Sequence, residues 1–132
     1  MTTALTTAII CTAILAAMLF LLGLNVSRMR GVTAKAGGSQ FPTDPASRLL
    51  IAIRAHGNAA EYIPVLIVLF LLVGARSPVA PTISGIAAAR VLHAYGLLTA
   101  PSLAVTTKAR LAGAAGTYLL GIGLAVAAAL SL

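Results

Sequence analysis

Four long apolar runs, at residues 3–26, 49–73, 79–100 and 111–132, constrain this chain more than any other feature. Each has about the 20 residues that cross a bilayer core as a helix. Backbone N–H and C=O groups in lipid find no water, so a spanning segment is either a helix or a strand of a closed barrel. Alternation of period two, the mark of a barrel strand, is absent, and helices remain. Little is left over for a wet surface. Hydrophobic residues make up 60% of the chain and charged residues 8%, against roughly 25% charged in a soluble domain. The expected fold is all-α: an integral membrane four-helix bundle, up-down-up-down, forming one domain over residues 1–132.

Charge comes next, because a net +7 could point to nucleic acid. The nine basic residues form no run and no aromatic platform is interleaved with them, so nucleic acid is not an expected partner. Their distribution reads better as topology. Arg28, Arg30, Lys35 and Arg48 surround the first loop, Lys108 and Arg110 the third, and only Arg76 the second. The positive-inside rule then puts loops one and three in the cytoplasm and both termini outside. The first run has no Lys or Arg before Arg28 and is too long for a signal peptide, so it is read as a retained helix. Cys11 is the one cysteine; it makes no intrachain disulfide, and no metal-ligand spacing occurs. Residues 28–47 form the long connection, with Gly31, Gly37, Gly38, Pro42 and Pro45. A tight turn is expected at Ser77 and Pro78, and Pro101 marks the end of the third helix. In the fourth run Gly113, Thr117, Gly121, Ala125 and Ala129 recur every four residues, a spacing that lets helix backbones approach, within the bundle or between copies.

The costly residues lie inside the apolar runs. Arg54, Asn58 and Glu61 stand at i, i+4 and i+7 and share a face of the second helix. At ~1.5 Å per residue Glu61 is about 18 Å along that helix, near the bilayer midplane. An unpaired charge there costs at least ~2.5–3.5 kcal/mol, so Glu61 should face protein or a wet cavity. His56 points elsewhere and suits a helix contact, and Pro64 should bend the helix. On the third helix Arg90 and His93 are a turn apart on one face. The chain has two acidic residues, and Asp44 is in a loop, which leaves Glu61 for two buried arginines. Two readings follow. A Glu61–Arg90 bridge could join two helices, with Arg54 snorkelling to the cytoplasm. Alternatively, the surplus of cation calls for an anionic ligand. Arginine makes up seven of the nine basic residues, and its fork suits bidentate carboxylate recognition.

The stretch RAHGNAAEYIP, residues 54–64, resembles the R-x-H-x-N-x-x-E-x-x-P signature of the MAPEG superfamily, membrane-associated proteins in eicosanoid and glutathione metabolism. Arg90-Val91-Leu92-His93 and Arg110 with Gly113 also fit, as do the length and the long first loop, so the resemblance spans essentially the whole chain. It looks most like small bacterial members, which implies a bacterial inner membrane. It further implies a homotrimer with glutathione as cosubstrate, bound between subunits near the cytoplasmic face. By motif position Arg28, Arg54, Asn58, Glu61, Arg90 and His93 would contact glutathione. Arg110 would stabilise its thiolate, since a nearby cation lowers a thiol pKa. Two departures stand out. Gly57 replaces an arginine found in several eukaryotic members, and Tyr95 follows His93 by two residues where prostaglandin-synthase-like members place a tyrosine four after.

The leading expectation is a glutathione-dependent transferase or peroxidase acting on hydrophobic electrophiles dissolved in the bilayer. The runner-up is a non-catalytic membrane protein that binds a lipid or amphipathic anion. A small transporter is disfavoured, because the chain has no repeat symmetry and no paired broken helices. A pocket of Leu, Val and Ala would select a second substrate for hydrophobicity and little else.

Overall fold

The computed structural model describes residues 2–76 and 79–131, and the turn expected at Ser77 and Pro78 lies outside them. The described residues form four helices: α1 (Thr3–Lys35), α2 (Arg48–Gly74), α3 (Ala80–Leu98) and α4 (Lys108–Leu130). The all-α membrane bundle expected from hydropathy is the fold observed.

Where helices start and stop follows local chemistry. Thr2, Ser47 and Thr107 cap the first, second and fourth helices, each side-chain oxygen accepting a backbone N–H of the first turn. Thr107 starts α4 a turn before its apolar run, which places Arg110 inside the helix. α1 outlasts its apolar run by more than two turns, because residues 27–35 contain no breaker strong enough to end it and Gly31 is tolerated. It stops where Gly37 adopts φ +70. There the Gly38 N–H reaches the Thr33 carbonyl at 2.9 Å and the Gly37 N–H the Ala34 carbonyl at 3.0 Å, a Schellman stop. With 33 residues α1 is about 50 Å long. It therefore overshoots a hydrocarbon core of roughly 30 Å, and its basic end stands in the headgroup layer or beyond. α2 continues through Pro64 without ending.

The helices alternate in direction. Thr3, Gly74 and Ala80 gather at one end, while Arg48 donates to the Ala100 carbonyl at 3.2 Å at the other. α2 and α3 each touch all the other helices; among the described residues α1 and α4 do not meet. The core stripe of α2 is Ala55, Ala59, Ile63, Leu66, Phe70 and Val73, at spacings of three and four. His56 packs against α1, where a Cβ on Gly23 would lie 3.3 Å from its ring.

Three helices, α1, α2 and α4, are long and apolar enough to cross a membrane. The third run, expected to be equally apolar, falls short: α3 has 19 residues and carries Ser84, Arg90 and His93. Packing compensates for that polarity. Arg90 is 2% exposed and His93 7%, so three neighbouring helices shield the residues that lipid would reject. The small-residue stripe of α4 divides in two. Gly113 and Thr117 pack inside the bundle, whereas Ala125 and Ala129 face outward.

Candidate functional site

The site begins where the end of α3 crosses the start of α4. A Cβ on Gly113 would stand 2.5 Å from the backbone nitrogen of His93 and 2.7 Å from the Ala89 carbonyl. One on Gly96 would overlap the backbone of Arg110. The two helices thus touch backbone to backbone, a contact only glycine permits. Hydrogen bonds fix the crossing further. His93 Nδ1 lies 2.9 Å from the Arg110 carbonyl; a carbonyl only accepts, so Nδ1 carries a proton. The Thr107 hydroxyl accepts from the Arg110 N–H at 3.2 Å and donates to the Gly96 carbonyl at 3.1 Å.

The Arg110 side chain is positioned but not neutralised. Its Nη1 donates to the Leu103 carbonyl at 3.1 Å. The Leu103 N–H in turn donates to the Pro45 carbonyl at 2.8 Å, tying the third loop to the first. A neutral acceptor holds the guanidinium in place and leaves its charge available to a ligand.

Arg110 borders a cavity of about 310 Å³ whose walls include Arg54, Asn58, His93, Leu97 and Tyr118. Four of the seven residues singled out in the sequence therefore share one space: Arg54, Asn58, His93 and Arg110. Among the described residues no carboxylate lines it. Two guanidinium groups and the amino end of α4 give the cavity a positive potential. Its volume is in the range of small-molecule sites. The donor set fits an anionic ligand.

The other three residues lie elsewhere. Arg90 is in the bundle interior, where its Nη2 donates to Asn58 Oδ1 at 2.8 Å and to the Asn58 carbonyl at 3.3 Å. Its guanidinium carbon stands 5.1 Å from the Tyr62 ring centroid, a cation–π distance, and its Nε is buried without a partner. The reading in which a Glu61–Arg90 bridge joins the two helices is thus corrected: the acceptor for Arg90 is the neutral amide of Asn58. Glu61 is exposed on the chain's surface and lines an α2–α4 groove. The reason is rotational. Glu61 lies in line with Arg54, and that stripe points away from the Ala55–Ala59–Ile63 core stripe. Arg28 is exposed, donates to Asn25 Oδ1 at 3.1 Å, and borders a different cavity with Arg48.

Sequence reasoning passed over Tyr62 and Tyr118. Their hydroxyls lie 3.3 Å apart, with ring centroids separated by 5.8 Å. A signal for Tyr62 existed: it stands four residues after Asn58 and so shares that residue's face. Tyr118 is eight residues after Arg110, about 80° around the helix, and only the contact of α4 with α2 brings it to the same place.

A model of the MAPEG family matches residues 8–130. No curated protein and no solved structure matches the chain.

Proposed function

The chain belongs to the MAPEG family, and from that membership we propose that it is a membrane-bound, glutathione-dependent transferase or peroxidase acting on hydrophobic electrophiles. The observation that carries this reading is the cavity between α2, α3 and α4, which Arg54 and Arg110 both line and which, among the described residues, no carboxylate borders. Two cations that share a cavity without countercharge repel each other, and an anion that joins them removes that cost.

Each residue has a distinct task. Arg110, at the positive end of α4, holds a cosubstrate thiol in its ionised form and orients it, since the thiolate is the nucleophile. Arg54 takes a carboxylate through its fork. Asn58 gives its Oδ1 to Arg90, so its Nδ2 is the group it offers to the ligand. Arg90 acts by keeping Asn58 in this orientation. His93 holds the first turn of α4 in place through the Arg110 carbonyl.

We further propose that copies of the chain assemble, as a trimer, around this face. Glu61 lies exposed at mid-depth and lines the α2–α4 groove next to the cavity. Facing lipid it would cost at least ~2.5–3.5 kcal/mol, and a neighbouring copy removes that cost. Arg28, in another cavity of its own chain, joins the site only across such an interface. The loops that carry the basic residues face the cytoplasm, with both termini outside a bacterial inner membrane.

The test is thiolate absorbance in stopped flow, with glutathione added to the purified, detergent-solubilised protein. A rapid absorbance rise is expected, together with its loss in Arg110→Ala and a roughly 100-fold fall in conjugation rate. Glutathione binding without a thiolate signal would leave a non-catalytic binding protein in place of the enzyme.

A further inference from the structure

The polar cavity beside Arg110 has an apolar neighbour. A groove of about 380 Å³ runs between α2 and α4, with Val65, Leu66, Leu69 and Ile122 among its walls. Among the described residues Tyr118 alone lines both spaces. The residue is 48% exposed. The Tyr62 hydroxyl donates to the Tyr118 oxygen at 3.3 Å, a long bond that still orders the pair. Tyr62 is itself held under the Arg90 guanidinium, and Arg90 is held by Asn58. A phenol that accepts one bond retains its own proton to give.

Other polar groups of the groove are excluded from that task. The Thr117 hydroxyl is buried and donates to the Gly113 carbonyl at 2.8 Å. Glu61, when ionised, only accepts. Tyr62 borders the groove but not the polar cavity, so its hydroxyl does not stand at the junction.

We propose that Tyr118 is the hydrogen-bond donor to the second substrate, and that this substrate is an α,β-unsaturated carbonyl compound with an apolar chain or ring. This rests on the thiol-dependent function proposed above. The apolar portion occupies the α2–α4 groove and the reactive end reaches Tyr118 at the junction. The thiolate sulfur forms a bond to the β carbon, and the C=C π pair moves to give an enolate. Tyr118 O–H donates to the enolate oxygen as it gains negative charge. Water then delivers a proton to the α carbon, which balances the proton released when the thiol ionised. Nothing is oxidised or reduced and no group leaves.

The experiment compares wild type with Tyr118→Phe on two electrophiles of equal chain length, a 2-alkenal and an alkyl iodide. Charge develops on oxygen in the alkenal and on departing iodide, a weak acceptor, in the iodide. Tyr118→Phe should lower kcat/KM for the alkenal roughly 10- to 100-fold, the loss of one bond to a charged oxygen. The alkyl iodide rate should change less than about twofold, and the thiolate signal with glutathione should be unchanged. Equal losses on both substrates, or no loss on the alkenal, would overturn the role of Tyr118 alone. A normal thiolate signal with no alkenal turnover in wild type would overturn the substrate class. No thiolate signal in wild type would remove the underlying reading as well.

Discussion

Arg90 enters the bundle where water does not follow, and Asn58 meets it with two acceptors, Oδ1 at 2.8 Å and the backbone carbonyl at 3.3 Å. The geometry makes Asn58 more than a ligand contact. Asn58→Leu leaves a buried guanidinium with one long bond, and a loss of about 2–3 kcal/mol is expected in reversible unfolding by SDS in mixed micelles. Asn58→Asp keeps an acceptor and adds countercharge, and should recover at least half of that loss. The residue types were legible in the sequence, since an arginine, an asparagine and a glutamate inside apolar runs all signal a constrained site. Their pairing was not. Counting charges makes Glu61 the partner of Arg90, but the neutral amide one turn earlier lies closer to the α3-facing side of α2. The Tyr62–Tyr118 contact escaped for a related reason, because tyrosine in an apolar helix is unremarkable until the opposing helix shows another hydroxyl.

At the scale of elements, the α3–α4 crossing sets the site. Gly96 and Gly113 have backbone atoms where a side chain would begin. Gly113→Ala should cost about 1–3 kcal/mol, as overpacking does, and should also weaken the Arg110-dependent thiolate signal, because the start of α4 must shift. Gly123→Ala is the control. Nothing lies within 4 Å of its Cβ position, so it should be neutral or stabilising by up to ~1 kcal/mol through helix propensity alone. The four-residue spacing in α4 pointed to close packing. It did not separate Gly113 and Thr117, which are buried, from Ala125 and Ala129, which face outward. Helix limits shifted for local reasons as well: hydropathy marks where lipid ends, whereas Thr107 and Gly37 mark where the helices do.

At the scale of the molecule, the antiparallel order puts the loop after α1 and the loop after α3 at one end, joined by the Leu103–Pro45 hydrogen bond. In a Cys11→Ala background, Ser39→Cys and Ala104→Cys should react with a membrane-impermeant maleimide only from the cytoplasmic side of inverted vesicles, and Arg76→Cys only from the opposite side. Labelling of Ser39→Cys and Ala104→Cys from different sides would contradict the bundle itself. By itself the sequence determined the membrane, the helices and their number. Burial of apolar runs in lipid and closure of backbone hydrogen bonds within one segment are local effects, readable from a window of about 20 residues. Only the tertiary structure decided that Arg90 goes to Asn58, that Glu61 faces out, and that Arg54, Asn58, His93 and Arg110 border one cavity. Those outcomes depend on how far each helix is turned about its own axis; for α3 and α4 that rotation is fixed by backbone contacts at Gly96 and Gly113, and for α2 by burial of its Ala55–Ala59–Ile63 stripe, between segments that do not sense each other until they pack.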